Sequence, residues 1–218
     1  RQGGGVGIGY HEAFKKAHAL AEELRGLGVR AEIYPGDVSR RGEARGVVDA
    51  FLREFGTLDV LVCNAGIARQ ELFTDITEAD WREMLGVNLD GVFHCCQAAL
   101  PHMIHRKQGK IITLSSMWGQ VGASCEVAYS AAKAGVIGLT RALAKELGLP
   151  MQIHDRDSHR EVIETLLADG APERTVFHSY SGDREMAEIA REHGWYLSFS
   201  GTVSYKGNDG IRESLRIV

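Results

Sequence analysis

Short apolar runs alternate with helix-length amphipathic stretches along almost the whole chain, and this rhythm restricts the fold most. Val6, Ile8 and Tyr10 alternate like a short strand. Residues 12–27 read as a helix closed by Gly28, since a residue without a Cβ suits a left-handed cap. Residues 31–34 read as a strand, and 39–55 contain the next helix. The apolar run over 58–63 has the composition of a strand buried on both faces. Residues 77–105 read as one long helix, with Thr77 and Asp80 as a capping pair. A strand at 110–114 and a helix at 128–147 follow. Beyond Leu149-Pro150 come a strand near 152–153, a helix at 158–169 and a strand at 175–177. A helix at 184–193, a strand at 195–199 and a helix at 209–215 finish the pattern. Alternation of this kind predicts an α/β fold, a parallel sheet with helices on both faces.

The 218 residues suit one large domain or two small ones. A formal net charge of −4 argues against a general nucleic-acid binder. No apolar run approaches the roughly 20 residues of a membrane span, and Arg1-Gln2-Gly3-Gly4-Gly5 does not read as a secretory signal. Cys63, Cys95, Cys96 and Cys125 show no paired spacing, so they read as reduced thiols in a cytoplasmic protein.

The most specific chemistry lies in Ser115-Ser116-Met117-Trp118-Gly119 and, ten residues on, Tyr129-Ser130-Ala131-Ala132-Lys133. Tyr129 and Lys133, four apart, share one helix face. A cation beside a phenol favours its ionised form. Such a phenol can donate a proton to a carbonyl oxygen at neutral pH. Ser116, on the loop before the helix, can hydrogen-bond the same oxygen. This is the chemistry of carbonyl reduction, given a hydride donor opposite.

Further motifs accompany these three residues. Asp37-Val38-Ser39 follows the second strand, Asn64-Ala65-Gly66 follows the third, and Asn88 stands in Val87-Asn88-Leu89-Asp90-Gly91. With Ser116, Tyr129 and Lys133 in order behind them, residues from about 6 to 148 resemble the short-chain dehydrogenase/reductase family, closest to its 3-oxoacyl-carrier-protein reductase type. The resemblance implies a Rossmann-like dinucleotide-binding segment over 1–148. It implies Tyr129 as general acid, and Lys133 as the group that activates it and holds the nicotinamide ribose. It implies Ser116 as oxyanion stabiliser and Asn88 as the residue that positions a relay water. Asp37, Val38, Asn64, Ala65 and Gly66 would line the cofactor, NADP or NAD. Tyr10-His11-Glu12, with no aspartate at the strand end, favours NADP. In that family the helices matching 77–105 and 128–147 form a homo-oligomer interface, and the substrate is a small carbonyl compound.

Gly3-Gly4-Gly5-Val6-Gly7-Ile8-Gly9 invites reading as a phosphate-cradling turn at a helix N-terminus. The element count argues otherwise. One helix and one strand separate Gly9 from Asp37, which makes residues 6–10 the family's second strand. The first strand and its glycine-rich loop are then expected to be missing. Residues 6–10 would either shift inward or leave a sheet edge unpaired.

Past Pro150 the pattern changes. Ile153-His154-Asp155-Arg156-Asp157, Phe177-His178-Ser179-Tyr180-Ser181-Gly182 and Ser198-Phe199-Ser200-Gly201 resemble motifs of TatD-type metal-dependent deoxyribonucleases. The resemblance covers about 151–218 and implies βα units from a (β/α) barrel. It implies His154 and His178 as two metal ligands. Two imidazoles do not complete a divalent site, so a bound metal is not expected. The chain reads as a fusion of two enzyme fragments on one hybrid sheet, joined near 148–151. Three functions stay open: an NADP-dependent carbonyl reductase, an inactive hybrid, and a metal-dependent phosphodiesterase.

Overall fold

The structure is a computed structural model that describes residues 4–155, 158–172 and 174–218. Arg156 and Asp157 of the histidine-containing motif lie outside the described residues, as do residues 1–3. The chain divides into two compact units, Arg1–Val136 and Ile137–Val218. The division falls inside a helix, twelve or more residues before the expected join at 148–151.

In the first unit, β1 (Val6–Tyr10) pairs parallel with β2 (Ala31–Pro35) through α1 (Phe14–Gly26). The strand β3 (Val60–Cys63) pairs parallel with β4 (Lys110–Thr113). The helix α2 (Arg41–Phe55) follows β2, while α3 (Glu78–Leu85) and α4 (Gly91–Arg106) separate β3 from β4. These elements form a Rossmann-like α/β arrangement with helices on both faces of parallel strands. The short α5 (Trp118–Val121) and the long α6 (Val127–Glu146) complete the unit, α6 crossing its boundary.

Within the glycine-rich run, Val6–Tyr10 is strand, not turn. A Cβ at Gly5 would stand 2.0 Å from Phe55, and one at Gly7 2.4 Å from Phe51. Gly9 faces Val47 at 3.6 Å. Alternate residues of a strand point to opposite faces, so the glycines face α2 and let it lie close. Val6, Ile8 and Tyr10 face α1, where Tyr10 packs edge-on against Phe14 with ring centroids 5.8 Å apart.

The unit's apolar cluster joins Val48 of α2, Leu58, and Ala99 and Met103 of α4. Phe51, Leu61 and Ile111 pack against it. Of the two outcomes expected for residues 6–10, the structure shows the unpaired edge. Among the described residues β1–β2 and β3–β4 are separate two-stranded sheets, with no strand between them. The strand β3 is also not buried on both faces. Val60 and Val62 are 47% and 53% exposed.

The second unit is a three-stranded parallel sheet of its own. It contains β5 (Met151–His154), β6 (Thr175–His178) and β7 (Tyr196–Leu197), in that order. Among the described residues its strands pair only with one another. The helices are α7 (His159–Asp169), α8 (Arg184–Glu192) and α9 (Asp209–Leu215). The core gathers Met151, Leu166, Phe177, Tyr180, Met186 and Trp195. Asp183 caps α8 by accepting the Met186 N–H at 2.9 Å.

Candidate active site

Thr77 and Asp80 form the expected capping box at the start of α3. The expected single helix 77–105 then departs from regularity. A π turn at Gly86–Asp90 separates α3 from α4. Such turns re-aim one side chain, and here that side chain is Asn88, fully buried. Its Nδ2 donates to the carbonyls of Ile67 at 2.9 Å and Met84 at 3.0 Å. Its Oδ1 is buried with no hydrogen-bond partner.

That orphaned oxygen lies beside Gly66 and Lys133. A Cβ on Gly66 would stand 2.8 Å from Asn88 Oδ1 and 3.7 Å from Lys133 Nζ. Glycine is therefore the residue that fits against this acceptor and cation. Lys133 is 5% exposed, and burial lowers its pKa from the usual lysine range. Its ammonium donates to the Leu114 carbonyl at 2.8 Å and lies 5.6 Å from the Tyr129 ring centroid. The four-residue spacing on α6 thus sets cation and phenol side by side, as expected.

Ser116 is half-buried on the β4–α6 loop. The Trp118 N–H donates to its Oγ at 3.2 Å, which leaves the hydroxyl proton for another acceptor. Two supporting residues were not singled out from the sequence. Ser115 Oγ donates to the Lys133 carbonyl at 2.8 Å. A Cβ at Gly119 would stand 2.7 Å from the Lys133 carbonyl carbon, so only glycine lets α5 approach α6 there. The position of Gly119 three residues after Ser116 was the available signal.

The other expected cofactor residues are less closely gathered. Asn64, Ala65 and Gly66 are exposed on the loop after β3. Asp37 accepts from Ser39 N and Oγ, at 2.9 and 2.7 Å. The Ser39 hydroxyl is the main cause holding the Asp37 carboxyl below the usual carboxylate range. Val38 packs on α4, its Cγ2 2.8 Å from the Cβ position of Gly91, and its carbonyl lies 3.0 Å from His94 Nδ1.

Comparison with known proteins decides the family. The short chain dehydrogenase family model matches residues 1–154, well over half of the sequence. The chain belongs to the short-chain dehydrogenase family. The 3-oxoacyl-[acyl-carrier-protein] reductase of Staphylococcus aureus strain Mu50 is 40% identical over 146 residues, covering 67% of this chain and 59% of the relative. The Thermotoga maritima enzyme of that name is 40% identical over 129 residues, or 59% and 52% of the two chains. The chain thus spans little more than half the length of these curated relatives. The solved acetoin dehydrogenase of Salmonella typhimurium matches with TM-score 0.64 and 32% identity over 69% of this chain and 61% of its own. The gluconate 5-dehydrogenase of Burkholderia cenocepacia, solved with NADP and tartrate, matches with TM-score 0.62 and 30% identity. That match covers 72% of this chain and 65% of the other. Residues 131–218 match the TatD related DNase model.

A short-chain dehydrogenase works with a dinucleotide, and the residues present fit only part of one. Tyr129 and Lys133, side by side on α6, suit a ribose. The diphosphate end does not fit. Its binding needs backbone N–H groups at a helix N-terminus, and among the described glycines of the run Gly7 and Gly9 lie in β1 against α2.

In the second unit His154 and His178 end neighbouring strands and face each other in register, ring centroids 6.1 Å apart. Asp155 is not available to them. It accepts the Ser158 N–H at 3.1 Å and pairs with His159 Nδ1. Among the described residues no group of three or more His, Cys, Asp or Glu could hold a metal.

Proposed function

We propose that the first unit carries the proton-donating site of an NADP-dependent reductase of a ketone or 3-oxoacyl compound. The carrying observation is the buried Lys133 ammonium, fixed by the Leu114 carbonyl beside the Tyr129 ring. In this reading Tyr129 donates the proton to the carbonyl oxygen. Lys133 stabilises the phenolate that remains, and Ser116 Oγ donates to the same substrate oxygen. Asn88 Oδ1, lacking a partner, is the acceptor this reading assigns to the relay water. The names of the curated relatives and the NADP-bound neighbour support this substrate class and cofactor. Saturable NADPH binding by fluorescence, and reduction of a 3-oxoacyl thioester that Tyr129→Phe abolishes, test it. No saturable binding up to millimolar NADPH sinks it.

The split between β1–β2 and β3–β4 favours a second reading, a hybrid without catalysis when isolated. Measurable reduction by the purified chain excludes that. We also propose a homo-oligomer through α3–α4 and α6, and a cytoplasmic setting suited to four free thiols. Among the described residues no helix is long and apolar enough to cross a membrane.

A further inference from the structure

Cys63, Cys95 and Cys96 meet inside the first unit, and the reductase reading uses none of them. Two hydrogen bonds fix how α4 runs along β3. The Leu58 N–H, just before β3, donates to Nε2 of His102 near the end of α4, at 3.3 Å. Asn88, just before α4, donates to the Ile67 carbonyl beyond β3, at 2.9 Å. The helix therefore runs antiparallel to the strand. Leu61 and Cys63 share one strand face, and Leu61 packs on the cluster that holds Ala99. One helical turn from Ala99 toward the start of α4 come Cys95 and Cys96. Two residues from Leu61 in the same direction comes Cys63. The Cys63 thiol accordingly hydrogen-bonds with both of them.

The three thiols are not equivalent. Cys63 and Cys96 are 7% and 3% exposed, whereas Cys95 is half-buried. Consecutive residues of a helix do not face each other, so Cys95 and Cys96 share Cys63 as a partner rather than pairing together. The Cys63 S–H donates toward both sulfurs and favours their thiolate forms. That bond is the main cause lowering the pKa of Cys95 and of Cys96, and it raises that of Cys63. A thiolate, not a thiol, is the nucleophile. Cys95 thus combines access with nucleophilic character, and Cys63 stands behind it as a second, protonated thiol.

We propose that Cys63, Cys95 and Cys96 form a reversible thiol-oxidation site, with a hydroperoxide as the oxidant. The Cys95 thiolate attacks the peroxide. An S–O bond forms, the O–O bond breaks, and the departing oxygen takes up a proton. Cys63 then attacks the Cys95 sulfenic sulfur. An S–S bond forms, the S–O bond breaks, and water leaves with the Cys63 proton. The two thiols lose two electrons and the peroxide gains them. Cys96, beside the same sulfur of Cys63, can take the place of Cys95 by exchange. The bridge ties the end of β3 to α4, and a dithiol releases it. A transient disulfide of this kind is the form that redox sensing takes in a reducing compartment. The proposal stands apart from the carbonyl-reductase reading and needs no nucleotide.

The test treats the full chain with hydrogen peroxide, blocks free thiols with iodoacetamide and maps unreduced peptides by mass spectrometry. Cys125, on the loop before α6, is the internal reference. The expected result is a link from Cys63 to Cys95 or Cys96, formed before Cys125 is oxidised and removed by dithiothreitol. Cys95→Ser should slow the link by roughly tenfold or more, because the accessible thiolate is gone. Cys63→Ser should leave Cys95 as a sulfenic acid that dimedone traps. Where either variant does not fold, the peptide map of the unaltered chain decides. Cys95 advancing to sulfinic acid while Cys63 stays a thiol, a Cys95–Cys96 link, or oxidation of Cys125 ahead of the cluster overturns the proposal.

Discussion

A Cβ on Gly66 would stand 2.8 Å from Oδ1 of Asn88, and Asn88 is held from two sides by the Ile67 and Met84 carbonyls. The side chain has no room to yield. Gly66→Ala should therefore destabilise the first unit by about 1–3 kcal/mol. Urea unfolding followed through Trp81 and Trp118 measures this. An unchanged midpoint would mean that the loop, rather than Asn88, gives way.

Gly7 offers a test of strand against phosphate loop. A Cβ there would stand 2.4 Å from the Phe51 ring. Gly7→Ala should cost about 1–3 kcal/mol of stability through overpacking. In a nucleotide-binding turn the same change would spare stability and weaken NADPH binding. Paired unfolding and binding measurements separate the two.

Tyr129→Phe removes one hydroxyl from a half-buried ring. Its effect on stability should stay within about 0.5 kcal/mol. Any carbonyl reduction should fall by roughly 10²–10⁴, the usual contribution of a positioned general acid. A fully active variant would remove Tyr129 from the chemistry.

Asp37 gives a pH dependence of definite sign. Its folded pKa is lowered, chiefly by the Ser39 hydroxyl. Its stabilisation is therefore present above the unfolded value, about 3.9, and lost as pH falls through the folded value. Asp37→Ala should cost about 0.5–1.5 kcal/mol near pH 7. Thermal melts should show that difference shrinking below pH 4. A difference that is constant from pH 7 to pH 3 would refute the assignment.

His154 and His178 face each other without a third ligand among the described residues. After dialysis the chain should hold well under one zinc per molecule by elemental analysis. Stoichiometric zinc would show a completed site.

Much of the local structure was legible because it depends on neighbours in sequence. The strand at 6–10, the Thr77–Asp80 capping box and the helix carrying Tyr129 and Lys133 follow from alternation, capping chemistry and four-residue spacing. The lysine–phenol pair was legible for the same reason, since both residues sit on one turn-and-a-bit of helix. The break in the helix at 86–90 was not. A π turn inserts a residue without any distinctive composition, and only the buried carbonyls of Ile67 and Met84 explain why Asn88 points inward.

The sequence by itself determined the elements, their order and the family to which they belong. The tertiary structure alone decided how the strands assemble. It turned a glycine run into a strand packed against Phe51 and Phe55, and it separated β1 from β3. It also gave β5–β7 a sheet of their own. The physical reason is that strand pairing and helix docking are non-local. An apolar strand such as Val60–Cys63 carries the composition of a buried one, and its burial depends on whether a neighbour is present to cover it.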